Sequence, residues 1–288
     1  LVQTPESGWK PLPLCDEGLP QGMSVSHRVP ADMKLLFVAD LHYTLKQFDW
    51  LLARASEFDG IIIGGDLLDL SSALDISVQI TVVEKYLDRL RAKTRLMVSS
   101  GNHDGDGRNA ADESVSRWIR EIRSSGIVVD GSSIEWEGSL ITVCPWWDGP
   151  VSRAELELQL ESDAHRAPKH WIWVHHAPPS GSPLCWTGRK FVGDEYLRGW
   201  IERFQPNLVL CGHVHNAPFV VNGSWIDRIG TTTIFNPGKQ IGPAPTCIVF
   251  DLDSGTAEWT SLAGISIDRF AVPGSLVPGA NDLSVRTV

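Results

Sequence analysis

Five times along the chain a short apolar run ends in a cluster of Asp, Asn or His. Lys34–Ala39 leads into Asp40-Leu41-His42, and Gly60–Gly64 into Gly65-Asp66. Thr94–Ser99 leads into Gly101-Asn102-His103-Asp104, His170–Val174 into His175-His176, and Asn207–Cys211 into Gly212-His213-Val214-His215. Each run has the length and apolar continuity of a buried strand. In open α/β sheets the ligand crevice lies at the carboxyl ends of the strands. Of the nine histidines, His42, His103, His175, His213 and His215 fall at those ends.

Between the strands the apolar period changes to that of helices. Leu45, Phe48, Leu51, Leu52 and Ala55 mark an amphipathic helix over Leu45–Phe58. Further helices are expected over Ile76–Arg91, Ser114–Arg123, Arg153–Ser162 and Asp194–Phe204. Short strands are expected at Ile127–Val129, Ser133–Glu137 and Leu140–Cys144, and Pro218–Ser261 reads as mostly strand and turn. An alternating βαβα start followed by a β-rich second half implies two packed sheets with helices outside. The pattern begins at Met33. Residues 1–32 read as a coil-rich extension, 33–272 as the folded domain, and 273–288 as a tail with Pro273, Gly274, Pro278 and Gly279.

The spacings have a chemical reason. Residues two apart on an extended segment face the same side, so Asp40 with His42, and His213 with His215, can converge on one point. Carboxylates, imidazoles and one amide oxygen, without a thiolate, make a mixed N/O donor set suited to divalent Mn, Fe, Zn, Co or Ni. Seven such donors exceed one tetrahedral ion but fit two ions sharing a carboxylate, at the ~3.5–4 Å separation used in two-metal hydrolysis. Singly, each motif has a plainer reading: DxH as a helix cap, GGD as a βα turn, His175-His176 as a strand end. Five of them in order, each after a strand, are poorly explained that way.

The ordered set DxH, GD, GNHD, H and GHxH resembles the signature of the calcineurin-like metallophosphoesterase superfamily. That resemblance implies an α/β fold, a four-layer αββα sandwich of two mixed sheets. It also implies two divalent metal ions, one held by Asp40, His42, Asp66 and His215, the other by Asp66, Asn102, His175 and His213, with Asp66 bridging. His175 is preferred to His176 as the first His of an HHxP-like segment. His103 is then the expected proton donor to the leaving oxygen, with Asp104 orienting its ring. Asp69 is read either as an acceptor behind the ligands or as a helix cap.

Departures narrow the substrate. Protein phosphatases of the superfamily carry GDxxDRG, whereas Gly65-Asp66-Leu67-Leu68-Asp69-Leu70 lacks the Arg-Gly. Lys and Arg total 25 against 35 Asp and Glu, a net charge of −10, which disfavours nucleic acid and anionic membrane as general partners. No apolar run approaches the ~18 residues of a membrane span. The expected reaction is hydrolysis of a small phosphate mono- or diester, including nucleotides. The alternatives are a nuclease using the same metals and an inactive metal-binding scaffold. After the fourth motif, Trp186, Arg189 and Lys190 are candidates for ring stacking and phosphate binding, Arg108 a weaker one, and Trp146-Trp147 a candidate cleft wall. Five scattered cysteines, Cys15, Cys144, Cys185, Cys211 and Cys247, form no CxxC pair. They read as reduced thiols in a cytoplasmic setting.

Overall fold

The computed structural model describes residues 33–270. The expected extension and tail, with Cys15, lie outside the described residues. In chain order the strands are β1 (Lys34–Val38), β2 (Gly60–Gly64), β3 (Arg95–Ser99), the short pair β4 (Gly107–Arg108) and β5 (Ser114–Val115), β6 (Val128–Val129), β7 (Ser132–Trp136) and β8 (Ser139–Val143). They continue as β9 (His170–Val174), β10 (Leu208–Leu210), β11 (Ile226–Ile229), β12 (Thr232–Phe235), β13 (Cys247–Asp251), β14 (Thr256–Ser261) and β15 (Gly264–Arg269). The α-helices are α1 (Leu45–Arg54), α2 (Ile76–Arg91), α3 (Arg117–Glu121), α4 (Pro150–Ala164) and α5 (Glu195–Phe204).

Two mixed sheets result. One runs β15-β14-β13-β1-β2-β3-β6 and the other β11-β12-β10-β9-β8-β7. β1, β2, β3 and β6 are parallel, as are β8, β9, β10 and β12; β13, β14 and β15 in the first sheet and β7 and β11 in the second join antiparallel. The alternation of side chains divides the interior into three cores. Leu35, Phe37, Ile62 and Met97 of the first sheet meet Ile141, Ile172, Val174 and Leu210 of the second. On the outer face of the first sheet, Leu36, Val38, Ile61 and Ile63 pack on Phe48 and Leu51 of α1 and Val83 and Leu87 of α2. On the outer face of the second, Trp171, Trp173 and Val209 pack on Leu156 and Leu160 of α4 and Trp200 of α5. The expected αββα sandwich is therefore the fold. With both faces buried, the central strands carry no alternation of polarity, and each fully buried Leu, Ile or Phe contributes ~1.5–3 kcal/mol.

Several boundaries differ from expectation. α1 tightens into a 3-10 turn at Ala55–Glu57 before extended Phe58. The Ser114–Arg123 helix shrinks to α3 because Ser114 and Val115 pair with Arg108 and Gly107. β15 lies beyond the expected strand region; its Ile265 and Ile267 alternate but face solvent, 65% and 68% exposed. Among the described residues no helix is long and apolar enough to cross a membrane.

Candidate metal centre

The loops after β1, β2, β3, β9 and β10 meet at one end of the sandwich and are stitched together by main chain. Asp40 N–H donates to Gly65 O, His42 N–H to Asp66 O, and Gly212 N–H to His176 O. The turns are unusually tight. Asp40, His42, Tyr43, Asp66 and His213 all have positive φ, between 41° and 67°. Left-handed backbone is disfavoured for residues with a Cβ, and such strain concentrates where a fixed geometry is required. At Gly65 (φ 91°) an added Cβ would lie 2.5 Å from the His176 ring. At Gly101 it would lie 2.5 Å from Asp66 main-chain nitrogen, so these two glycines are set by close approach.

Asp40, His42, Asp66 and His215 each bring one donor atom within 4.8 Å of the others. His215 Nε2 lies 3.2 Å and His42 Nε2 3.8 Å from Asp40 Oδ1, and His42 Nε2 lies 3.5 Å from Asp66 Oδ2. The His42 and His215 Nε2 atoms face each other at 3.0 Å, a pair in which one nitrogen must lack a proton. Asp66, His176 and His213 form a second such group, so Asp66 belongs to both. Asn102 adjoins it through Oδ1, 2.8 Å from His213 Nδ1. His176 Nε2 is buried without a hydrogen-bond partner, 3.1 Å from Asp66 Oδ2, while its Nδ1 donates to Gly64 O at 2.7 Å. That second bond fixes the ring so that Nε2 is the nitrogen offered inward, as in most metal-binding histidines.

Charges in the cluster tune one another. Burial opposes ionisation of Asp40, yet hydrogen bonds from His215 and His42 hold its carboxyl below the usual range. Asp66 is likewise lowered, against burial, by His176. Burial works against a charge on His176, but Asp66 and Asp40 draw it up to about 10. Burial pushes His213 down to about 4, leaving it a neutral donor at physiological pH.

His175 is the one expected ligand that the structure turns away. The inward set on β9 is Ile172, Val174 and then His176; the outward set is Trp171, Trp173 and then His175. His175 is fully buried on the outer side, its Nε2 3.5 Å from Asp194 Oδ2. The strand's own alternation, carried two residues on from Val174, was the signal that selects His176.

Asp104 also differs from expectation. It does not touch the His103 ring. Its Oδ1 accepts from Leu67 N–H and Leu68 N–H and its Oδ2 from Gly101 N–H, so it binds the loop after β2 to the loop after β3. Burial pushes it up to about 8, with the Asp66 charge adding to the shift. His103 is placed by other contacts. Its main-chain N–H donates to Asp66 Oδ1 at 2.8 Å, and its Nδ1 accepts from Leu70 N–H at 3.3 Å, leaving the proton on Nε2. The ring stands edge-on to His42 at 4.5 Å. Asp69 lies near both His42 and His103, and its Oδ1 accepts from Ser71, so it is a turn residue at the cluster's rim.

Trp186, Arg189 and Lys190 sit on a turn whose contacts run elsewhere. The Trp186 indole N–H donates to Val221 O and its ring packs on Phe191, while Arg189 and Lys190 are exposed. Asn216 Nδ2 donates to Thr187 O and ties this turn to the end of the His213-Val214-His215 loop. Arg108 is bound to Asp112 O at the surface. The sequence reading missed Lys239, whose Nζ donates to Asp40 O at 2.7 Å and whose main-chain N–H donates to His215 O. A single Lys in a distant turn carries no spacing signal.

The geometry can be set beside known proteins. Residues 33–217 match the sequence profile of the calcineurin-like phosphoesterase family. Over 198 residues the chain is 25% identical to protein 078R of invertebrate iridescent virus 3, which is named as a candidate phosphoesterase. The match covers 64% of this chain and 53% of that one, so the chain spans about half the length of this curated relative. The crystal structure of TT1561 of Thermus thermophilus is similar at 14% identity and a TM-score of 0.52, over 83% of this chain and 99% of that one. Another crystal structure is similar at 16% identity and a TM-score of 0.53, over 84% of this chain and 100% of that one. At those identities both likenesses speak to the fold.

Proposed function

The chain belongs to the calcineurin-like phosphoesterase family, and on that premise we propose that it is a dinuclear metal-dependent hydrolase of small phosphate mono- or diesters. The observation that carries the reading is Asp66, shared by two groups of donors: Asp40, His42 and His215 on one side, His176, His213 and Asn102 on the other. The donor set fits divalent cations: all nitrogen and oxygen, with the orphaned His176 Nε2 aimed at Asp66. Asp40, His42, Asp66 and His215, and Asp66, Asn102, His176 and His213, would hold two dications, whose charge would offset that of the phosphate and would make water more acidic near neutral pH.

The chain's own residues do the rest. Asp66 is held in place by the His103 main-chain N–H, and Asp40 by its two contacts from His213 N–H. His103, with Nδ1 accepting from Leu70 N–H, presents Nε2–H as a hydrogen-bond donor that stabilises the charge building on the leaving oxygen. Burial lowers the pKa of His103, which keeps the ring neutral and in this donor form. Lys239 and Asp104 act through others, the first fixing the Asp40 main chain and the second joining two ligand loops.

Elemental analysis of the purified full chain, combined with turnover of p-nitrophenyl phosphate and bis(p-nitrophenyl) phosphate, tests the reading. About two metal ions per chain and metal-dependent hydrolysis are expected. Asp66→Asn is expected to abolish turnover, a loss of at least ~10³-fold; substantial activity in that variant removes the shared carboxylate and the proposal with it.

A further inference from the structure

Beside the cluster lies an open cleft of about 390 Å³ that has His213 in its wall. It falls in the size range of small-molecule sites, ~300–1,000 Å³. Three aromatic side chains, Trp146, Trp147 and Tyr196, line it. These rings are anchored rather than loosely exposed. Trp146 stands 5.7 Å from His213 at a tilt of 38°, and its main-chain N–H donates to Ser100 Oγ, which in turn donates to buried Asp130. The Trp147 indole N–H donates to Asp194 Oδ2 at 2.9 Å. Trp147 meets Tyr196 edge-to-face at 5.6 Å, and the Arg153 guanidinium lies over the Tyr196 ring at 3.8 Å. A solvent-facing row of rings fixed by hydrogen bonds and a stacked cation has little to gain from its own exposure; it is built to take a flat apolar group.

Asp148, Asp194 and Glu195 line the cleft, and the Arg153 guanidinium stacked on Tyr196 stands at its edge. Carboxylates accept hydrogen bonds from hydroxyls. An ester with its phosphate at the cluster and its organic part here meets flat rings and then hydroxyl acceptors.

We infer that this cleft binds the alcohol side of the substrate, and that it selects a nucleoside-type ester over small aliphatic esters. The inference rests on the hydrolase reading for the phosphate and on Trp146, Trp147, Tyr196, Asp148 and Glu195 for the rest.

Matched pairs keep the leaving group constant. Adenosine 5′-monophosphate and glycerol phosphate both release a primary alcohol; thymidine 5′-(p-nitrophenyl) phosphate and ethyl p-nitrophenyl phosphate both release p-nitrophenolate. Using whichever pair the metal-loaded chain hydrolyses, kcat/KM is expected to favour the nucleoside ester at least tenfold. Trp147→Ala and Tyr196→Ala should each cut that ratio at least fivefold, mainly through KM. Tyr196, about half exposed, keeps the test open should Trp147→Ala fail to fold. Adenosine alone, titrated calorimetrically into wild type and Tyr196→Ala, provides a readout independent of turnover, with binding expected in the first and lost in the second. Turnover without a nucleoside preference and without adenosine binding overturns the cleft assignment. Adenosine binding that Tyr196→Ala abolishes, in a metal-loaded chain that turns over no ester, leaves the cleft standing and overturns the hydrolase reading instead.

Discussion

At the residue scale, His176 shows how a neighbour sets a proton and how that proton will compete with a cation. Drawn up to about 10 by Asp66 and Asp40, against the effect of burial, His176 is protonated at neutral pH in the metal-free chain. Its folded pKa exceeds the unfolded value of 6.5, so its contribution to metal-free stability is full below pH 6.5 and is lost as pH rises through about 10. A cation must displace this proton, so metal affinity should rise with pH across that interval, by up to ~tenfold per unit for one proton released. Calorimetric titrations of metal in buffers of different ionisation enthalpy measure the proton count directly; an affinity flat from pH 6.5 to 9 would contradict the assignment of His176 as a ligand. His103 poses the complementary question. His103→Ala should lower kcat ~10²–10³-fold, the usual worth of a donor placed at developing negative charge, while metal content stays near two per chain; loss of metal in that variant would make His103 a structural post rather than a hydrogen-bond donor to the leaving oxygen. The two histidines also mark what a sequence tells. DxH, GD and GNHD were legible as an ordered series of strand-end motifs, but their side chains converge through left-handed turns at Asp40, His42 and Asp66 and not through the alternation of an extended segment. The choice between His175 and His176 depends on which face of β9 looks inward, a fact settled by packing of Trp171 and Trp173 on α4 and α5.

At the element scale, α5 shows a capping residue with two tasks. Asp194 Oδ1 accepts from Tyr196 N–H and Leu197 N–H at the helix start, while Oδ2 takes the Trp147 indole and faces His175 at 3.5 Å. Asp194→Ala should cost ~1–2 kcal/mol of stability from the cap alone. Asp194→Asn, which keeps an acceptor for the amides, should recover most of it; chemical denaturation of both variants decides, and equal losses would mean that the carboxylate charge outweighs the cap. Elements with both faces buried, such as β1, β2 and β9, could be read from their apolar runs, and α2 from its 3.6-residue period. β15 could not. Its Ile265 and Ile267 keep a strand period but face solvent, so alternation there reports an edge hydrogen-bonded to β14 and no buried face. The shortening of Ser114–Arg123 was hidden for a related reason, since the β4–β5 pairing depends on a return of the chain that local propensity does not encode.

At the scale of the whole molecule, the candidate ligands come from both sheets. Asp40, Asp66 and Asn102 follow strands of the first sheet, and His176, His213 and His215 follow strands of the second. The two-sheet architecture was visible in the change from an alternating βαβα start to a β-rich second half. How the loops lock at that end was not: Lys239, which ties Asp40 after β1 to His215 after β10, and Asp104, which ties two loops of the first sheet, act through main-chain atoms that no motif describes. A cation held between the sheets binds the native arrangement and not the unfolded chain, so it adds stability by mass action, ~4 kcal/mol at a thousandfold excess over Kd. For a domain of this size ~1 kcal/mol moves the thermal midpoint by ~2–4 °C, so chelation should lower Tm by on the order of 10 °C and metal should restore it. Differential scanning calorimetry with and without chelator measures the shift. An unchanged Tm in a chain shown to lose its metal would mean that the two sheets are already fixed by their shared apolar core and the main-chain stitches, and that the cations serve chemistry without holding the fold.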